Sequence, residues 1–336
     1  MKALRWLGLP LALVYGAITA LRNLFFDWGL LKTLPLPAKS IGVGNLSVGG
    51  TGKSVVVNFL IAQCKIKGTT AVLSRGYGRQ TKGYVLADHQ ATAQSIGDEP
   101  FQFKQRHPEV LVAVAEKRVI GIQQLQQLSS PPEYILLDDV FQHRWVSPAK
   151  MILCTRYDAL FSEDYLLPVG RLRELRSGKK RAHLCLVTNC PAEVNPTERQ
   201  QIAQKLRLSS HQKLVFSRVC YTESLYGSAV ISPDELYHSP LLVVTGIAHP
   251  ERFFEFLKKK NFRFQQLVFP DHHSFSAQEL QTIQQMAAGG NILTTEKDYG
   301  RLQPQLKSDR LYYWPIELEF LSPEDQQNFE EAIWEE

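Results

Sequence analysis

Short apolar runs alternate with helix-length segments over the first two thirds of the chain. Six runs have the length of strands and lie at residues 40–45, 70–74, 110–115, 134–138, 151–154 and 184–188. Helix-length segments lie between several of them, at residues 53–64, 98–105 and 116–128. Strands that are apolar throughout are typical of a sheet covered on both faces. The pattern therefore predicts an α/β fold in which a mostly parallel sheet is wrapped by helices.

The periodicity changes at residue 213. The segment KLVFSRVCYT alternates apolar and polar residues, and Tyr226-Gly227 forms a turn into SAVIS, so a β-hairpin is predicted here. A second αβ unit follows, with strands in LLVVTGI, FRFQQLVF and NILTT and helices over residues 250–260 and after Ser276. We predict four parts, namely an N-terminal helix region (1–32), a main domain (33–212), a β-hairpin linker (213–232) and a smaller C-terminal α/β lobe (233–336).

The N-terminal segment is uncharged over residues 6–21 and is bracketed by basic residues. These sixteen residues are fewer than the roughly twenty that a membrane-spanning helix needs, and Pro10 interrupts the run. Three interpretations stay open from the residues alone: a secretory signal, a helix lying in one leaflet of a membrane, or an ordinary buried helix.

Composition narrows the class of protein. The 336 residues suggest about two domains. With 44% apolar and 21% charged residues, the chain is not mainly disordered, collagen-like or a polytopic membrane protein. A net charge of +5 favours an anionic partner without selecting nucleic acid over a membrane surface or a phosphorylated substrate. The five cysteines contain no CxxC pair, which argues against a disulfide framework or a four-thiolate zinc site and indicates a reducing compartment.

The strongest chemical signal is SVGGTGKS between a predicted strand and a predicted helix, comprising Ser47, Val48, Gly49, Gly50, Thr51, Gly52, Lys53 and Ser54. Backbone N–H groups of such a loop surround nucleotide phosphates, the lysine reaches the terminal phosphates, and the last serine can bind Mg²⁺. A strict GxxxxGKS motif has glycine where Ser47 stands, so this is a variant phosphate loop. A flexible glycine turn would leave GKS at a helix start unexplained. The sequence predicts a phosphate-loop NTPase-like domain.

Two carboxylates end the apolar strand of YILLDDVFQHR, residues 134–144. In phosphate-loop proteins an acidic residue at such a strand end meets the Mg²⁺ that the loop hydroxyl binds. Asp138 and Asp139 are therefore candidates for metal contact, and which of them is closer to the metal stays open. His143 and its neighbours position a phosphorylated ligand or cap the sheet edge, and the residues leave both readings open.

The kind of nucleotide and reaction is less directly encoded. Guanine specificity usually needs NKxD, and neither LVTNC nor TEKD supplies it, so ATP is favoured over GTP. Phosphoryl transfer to a hydroxyl also needs a group that takes the acceptor's proton. Asp98 in GDEP opens a helix, and His272 in DHHSF belongs to the other lobe; together they can form an Asp-His pair across a cleft. On spacing alone, a helix N-cap and a surface loop residue are the ordinary alternatives.

Eight short strings occur in order along the chain: GNLSVGGTGKS, SRGYGR, GDEP, DDVFQHR, LPVGRLRE, TGIAHPERFF, DHHSF and TEKD. Together they resemble the tetraacyldisaccharide 4'-kinase family, the lipid A 4'-kinases, over nearly the whole chain. Val55, Val140 and Gly300 depart from the proline, glycine and aliphatic residue that are usual in the family. None of these departures removes a proposed catalytic side chain, although Val140 changes the predicted metal loop.

The resemblance implies transfer of the γ-phosphate of ATP to the 4'-hydroxyl of a tetraacylated glucosamine disaccharide 1-phosphate in lipid A biosynthesis. The roles it implies are a base at Asp98, its partner at His272, a phosphate contact at Lys53 and Mg²⁺ contacts at Ser54, Asp138 and Asp139. The substrate contacts we consider are Arg75, His143, Arg171, Arg173 and Glu174. The basic run over residues 171–181 can receive the 1-phosphate or anionic lipid head groups, or be a solvated charged face.

The resemblance also assigns the N-terminal helix. It implies a retained, membrane-associating helix on the cytoplasmic face of a Gram-negative inner membrane. The expected partners are the acylated disaccharide 1-phosphate and membrane lipids, with no nucleic acid and no obligate protein partner.

Two other classes use the same phosphate loop and acidic pair. A phosphate-loop ATPase or GTPase that assembles a metal centre or acts on a protein partner needs neither a membrane helix nor an Asp98–His272 pair. A nucleotide-dependent membrane-binding module without catalysis keeps the loop and the helix but tolerates loss of both residues.

Overall fold

The computed structural model describes residues 4–37, 39–271, 273–306 and 308–335. The helices are α1 Leu9–Asp27, α2 Lys53–Lys65, α3 Ala93–Ile96, α4 Asp98–Arg106, α5 Arg118–Gln126, α6 Pro196–Leu206, α7 Glu251–Lys259, α8 Ala277–Ala287, α9 Glu296–Leu306 and α10 Pro323–Trp334. The strands are β1 Leu34–Pro35, β2 Ser40–Asn45, β3 Thr70–Ser74, β4 Val85–Leu86, β5 Leu111–Val114, β6 Tyr134–Leu137, β7 Val146–Ser147, β8 Lys150–Arg156, β9 Leu184–Thr188, β10 Lys213–Tyr221, β11 Leu225–Gly227, β12 Val230–Ile231, β13 Leu241–Thr245, β14 Gln265–Val268, β15 Asn291–Thr295, β16 Leu311–Trp314 and β17 Ile316–Phe320.

The larger sheet has the strand order β17-β10-β9-β8-β2-β6-β3-β5-β4. Neighbouring strands from β10 to β5 are parallel, whereas the edge strands β17 and β4 run antiparallel. Leu73 and Leu137 point into one buried cluster, while Val72 and Leu136 point into another on the opposite face. Since alternate residues of each strand enter two cores, the strands appear in the sequence as continuous apolar runs. The predicted α/β fold with a helix-wrapped parallel sheet is confirmed.

A second, smaller sheet has the order β12-β11-β16-β15-β13-β14, and its strands β16, β15, β13 and β14 are parallel. Phe253 and Leu257 of α7 pack into a core on one side, and Ile283 of α8 and Leu302 of α9 pack into a core on the other. This sheet and α7 to α9 are the smaller lobe, and the larger sheet with its helices is the larger lobe.

The pairing of β10 differs from the predicted hairpin. Residues 213–216 pair in parallel with β9, and residues 217–221 pair antiparallel with β17. The hairpin that does form is the short one between β11 and β12. The polar alternation of β10 arises because the strand is only half-buried beyond Ser217, where it pairs with the edge strand β17. Since β17 and α10 pack with β10, we propose that residues 316–334 belong to the larger lobe.

The first helix extends beyond the predicted apolar run. Residues 6–27 are long and apolar enough to cross a membrane, by length and composition only. Gly16 lies against Leu166 so closely that an added Cβ would come within 2.7 Å of its side chain, so one face of α1 packs on the larger lobe. The other face is exposed, with Leu13 at 66% and Ile18 at 63%. An ordinary buried helix is excluded, and the arrangement fits association with a membrane.

Candidate active site

The phosphate loop lies where parallel strands of the larger sheet end. It leaves β2 at Asn45 and enters α2 at Lys53, and positive φ angles at Gly49 (102°) and Gly52 (76°) allow the sharp path. Within the described residues, no protein acceptor meets the backbone N–H groups of residues 49–52. Four amide donors at the start of a helix therefore remain available for an anionic ligand.

The loop is held by hydrogen bonds from its surroundings. Asn45 Nδ2 donates to Thr51 Oγ1 (2.8 Å), and Thr188 Oγ1 donates to the Thr51 carbonyl (2.9 Å). The Val48 N–H donates to the carbonyl of Arg171 (2.7 Å). The loop conformation is therefore set by strand ends and by the segment around residue 171.

Asp139 lies between two cations. Lys53 Nζ is 3.6 Å from Asp139 Oδ1, and Arg173 donates to both carboxylate oxygens at 3.0 and 2.8 Å. Burial acts to raise the pKa of Asp139, but Lys53 and Arg173 outweigh it and hold that pKa at about 2. The residue also adopts a positive φ of 45°. Its charge therefore positions the lysine of the phosphate loop.

Asp138 has a different environment. Its Oδ2 accepts from Ser74 Oγ (2.9 Å), whereas its buried Oδ1 has no partner within the described residues. Burial, followed by the charges of Glu99 and Asp139, raises the pKa of Asp138 to about 7. A buried carboxylate oxygen without a partner, facing other acidic groups, is suited to a cation.

The donor set near Asp138 fits Mg²⁺. Ser54 Oγ donates to Glu99 Oε1 (2.7 Å), and the charge of Glu99 acts on Asp138. Hydroxyl and carboxylate oxygens are the protein ligands that Mg²⁺ uses, usually one or two of them beside substrate phosphates. No cluster of three or more His, Cys, Asp or Glu side chains with metal-site geometry occurs in the part of the chain that the structure describes. The residues present fit an ion held jointly with a nucleotide.

Asp98 lies where the two lobes meet. It is the first residue of α4, and the Arg301 guanidinium of α9 forms an ion pair with its carboxylate. Arg301 also reaches Asp298 (3.4 Å), a buried carboxylate that accepts the Gly246 N–H at 2.9 Å. The smaller lobe therefore presents a cation to the predicted base.

The predicted partner of Asp98, His272, lies outside the described residues, so the pair stays a prediction. The adjacent Asp271 forms an ion pair with Lys297 at the start of α9 (3.0 Å). His273 instead pairs with Glu279 of α8 (3.0 Å). Asp271 thus lies beside the helix that carries Arg301.

The substrate candidates occupy contrasting positions. Arg75 is exposed, in the loop after β3. His143 Nε2 accepts the Arg118 N–H (3.3 Å), and burial, reinforced by Arg118 and other nearby cations, lowers the pKa of His143 to about 4. The imidazole is therefore neutral at pH 7.

Several cations of the basic run are used inside the protein. Arg171 pairs with Asp164 (2.9 Å), and Arg181 donates to both oxygens of the buried Glu174 at 2.8 and 2.9 Å. Arg173, as described, binds Asp139. The run is therefore partly a structural network, and its predicted contacts with the substrate stay predictions.

Four residues of the site carry no clear signal in the sequence: Asn45, Glu99, Arg118 and Arg301. Three of them lie in or near recognised strings, since Asn45 is within GNLSVGGTGKS, Glu99 is within GDEP and Arg301 follows TEKD by three positions. Arg118 is buried against the strand ends, donates to the Ala115 carbonyl (2.6 Å), and has a pKa that burial lowers to about 10. No motif marks it, because its importance arises from the fold alone.

Comparisons with known proteins agree with this geometry. Residues 4–336 match the family model described as Tetraacyldisaccharide-1-P 4'-kinase. The chain is 45% identical over 334 residues to the tetraacyldisaccharide 4'-kinase of Flavobacterium johnsoniae, covering 99% of this chain and 97% of that protein. It is 41% identical over 355 residues to the enzyme of the same name from Bacteroides thetaiotaomicron, covering 99% of this chain and 93% of that protein.

A solved structure is also similar. LpxK from Aquifex aeolicus, in a crystal structure described as an "apo" form in complex with ATP, matches with a TM-score of 0.79 and 28% identity, covering 98% of this chain and all of that one. The resemblance drawn from the eight strings is confirmed, and so is the enzyme class that it implies. The chain belongs to the tetraacyldisaccharide-1-P 4'-kinase family.

Proposed function

We propose that this protein transfers the γ-phosphate of ATP to the 4'-hydroxyl of a tetraacylated glucosamine disaccharide 1-phosphate, a step of lipid A biosynthesis. The observation that carries the proposal is the set of available N–H groups over residues 49–52, at the same strand ends as Lys53 and Asp138. The choice of acceptor rests on membership of the family.

The loop holds the triphosphate in this mechanism. Its amides and the positive end of α2 bind the phosphate oxygens, while Lys53 neutralises charge that develops on the transferring group. Asp139, which is itself held by Arg173, holds Lys53 near this position. Phosphoryl transfer depends mainly on such positioning and electrostatic stabilisation.

Ser54, Asp138 and Glu99 would hold a magnesium ion beside the phosphates. An ion held there would supply positive charge that offsets the charge of the phosphates. Asp139 was predicted as a further ligand; its two cationic partners favour a role in positioning Lys53.

Asp98 accepts the proton of the 4'-hydroxyl as that oxygen attacks the γ-phosphorus, while the bond from this phosphorus to the bridging oxygen breaks and ADP leaves. The carboxylate is orientated by Arg301, which the buried Asp298 holds in turn. We assign His272 as its second partner on the basis of its place in DHHSF. A base that is carried by the larger lobe and held by groups of the smaller lobe is complete only when the lobes are together.

The acceptor's acyl chains require a nearby lipid phase. The exposed apolar face of α1 supports a position on the membrane surface, with the larger lobe on the cytoplasmic side where ATP is available. Arg75 and Arg171, both solvent-accessible, are the candidates for the acceptor's 1-phosphate.

The proposal is tested with the purified full chain in detergent, Mg-ATP labelled at the γ-phosphate and the disaccharide 1-phosphate. We expect label in a product whose new phosphate maps to the 4' position by mass spectrometry and NMR. Release of inorganic phosphate at the same rate with and without the acceptor, and no labelled lipid, would contradict the kinase and favour the ATPase alternative.

A further inference from the structure

We propose that α1 is part of the catalytic scaffold, in addition to any role at the membrane. Through Tyr15 and Asn23, it positions the Arg173-Glu174 segment, which orients Asp139 and the phosphate loop. This inference rests on the proposed function.

The inward face of α1 carries polar groups that reach this segment directly. Tyr15 Oη donates to the carbonyl of Arg173 (2.7 Å), and Asn23 Nδ2 donates to Glu174 Oε2 (2.7 Å). Two adjacent residues of the segment thus receive hydrogen bonds from positions two turns apart on one helix.

A second loop is held by the same stretch of helix. Arg22 donates to the carbonyl of Gln142 (2.7 Å), and its guanidinium lies 5.0 Å from the centre of the Trp145 ring. In the reverse direction, Arg144 donates to the Asn23 carbonyl (2.7 Å) and pairs with Asp27 (2.7 Å). The helix therefore contacts the segments on both sides of the site, the one after Asp139 and the one containing Arg173.

A continuous series of hydrogen bonds connects α1 with the phosphate loop. Glu174 accepts from Gln142 Nε2 (3.0 Å), and the same amide donates to the Asn45 carbonyl (2.8 Å). Arg173 binds both Asp139 and Asn45, and Asn45 holds the phosphate loop at Thr51. Tyr15 is thus separated from Asp139 by one residue, Arg173. Asn23 is linked to the phosphate loop through Glu174, Gln142 and Asn45.

The two faces of α1 differ in the kind of contact that they make, so their roles can be tested separately. A helix that serves only as an anchor needs its apolar side, with Leu13 and Ile18, and has no need of hydrogen bonds to a buried glutamate. Glu174 is 3% exposed, so the loss of the Asn23 donor cannot be replaced freely by water. Removing the Asn23 donor is therefore expected to displace the Arg173-Glu174 segment and to leave the membrane-facing surface of α1 intact.

The test uses two substitutions that remove a single donor, Tyr15→Phe and Asn23→Leu. The matched control is Thr19→Val on the same face, because the Thr19 hydroxyl donates only to carbonyls of its own helix among the described residues, those of Tyr15 and Gly16. The readouts are kcat, the KM values for ATP and acceptor in detergent micelles, sedimentation with membranes, and the thermal unfolding midpoint.

We expect kcat to fall about 10- to 100-fold in Asn23→Leu and somewhat less in Tyr15→Phe, as small displacements of catalytic groups do. Membrane sedimentation should match the wild type, and Thr19→Val should keep full kcat. Asn23→Gln, which retains the amide donor, should recover part of the loss even if Asn23→Leu lowers the unfolding midpoint. By contrast, Leu13→Ser with Ile18→Ser should reduce sedimentation and raise the KM for the acceptor at unchanged kcat.

Wild-type kcat in both donor variants, or a loss of activity that follows membrane sedimentation, would overturn the inference while leaving the kinase assignment in place. A wild-type chain that forms no 4'-phosphate would overturn the proposed function, and this inference with it.

Discussion

The phosphate loop and the contact between the lobes at Asp98 are built in opposite ways. The loop is a contiguous segment between β2 and α2, held by neighbours in the same lobe, such as Asn45 and Thr188. The base region joins residues 203 positions apart, Asp98 in α4 and Arg301 in α9. The comparison suggests that nucleotide binding belongs to one lobe, whereas proton transfer depends on both.

The largest expected effect is at the lobe contact. Asp98→Asn keeps the size of the side chain and one acceptor oxygen for Arg301 but removes the base, so kcat should fall about 10² to 10⁴-fold while the affinity for ATP changes little. Steady-state kinetics with nucleotide titration measure both quantities. Since paired groups act as a unit, adding His272→Ala should cause little further loss. An unimpaired Asp98→Asn enzyme would end the general-base assignment.

Lys53→Ala tests the phosphate loop, the other region in this comparison. Loss of this ammonium removes charge stabilisation from the transferring phosphate, and we expect kcat to fall about 10² to 10³-fold. Lys65→Ala is the matched control, because Lys65 lies on the same helix and pairs with Glu109 away from the strand ends (2.7 Å). Equal phosphorylation by both variants would show that this loop is not the active nucleotide site.

Arg301→Gln separates base positioning from lobe attachment. The matched control is Arg106→Gln, since Arg106 also links the lobes, through Glu296 of α9 (3.3 Å), without touching Asp98 in the described contacts. Both variants should lower the unfolding midpoint, but only Arg301→Gln should lower kcat, by about 10-fold, and shift the pH profile of kcat. If both variants lose kcat equally, Arg301 serves only to hold the lobes together.

The smallest effect concerns stability at the far end of α4. His107 is buried, and burial, followed by the nearby charges of Lys65 and Arg106, lowers its pKa to about 4. The unfolded chain binds this proton near pH 6.5, so the stability is complete above that pH and falls as the pH drops towards 4. We expect His107→Gln to reduce this loss of unfolding free energy at acid pH by about 1 to 3 kcal/mol. Denaturant unfolding at several pH values measures it. An unchanged slope in His107→Gln would contradict the assignment.

The sequence alone determined the features that lie within short segments. The buried strands and the family were predicted correctly, because the run of apolar residues and the order of motifs are local properties of the chain. The roles of the phosphate loop and of the Asp138-Asp139 pair stay predictions. The structure adds the different environments of the two carboxylates. Adjacent in sequence, they are separated in pKa because Asp139 meets Lys53 and Arg173 while Asp138 is buried beside Glu99.

Only the tertiary structure decided which distant groups meet. Strand β10 was taken for half of a hairpin because its alternation is visible locally, whereas its partner β17 lies about a hundred residues further along. The same holds for Arg301 on Asp98 and for Tyr15 on the Arg173 carbonyl. No local pattern encodes such pairs, because they arise from the packing of whole lobes, in which the burial of apolar faces brings the polar groups together.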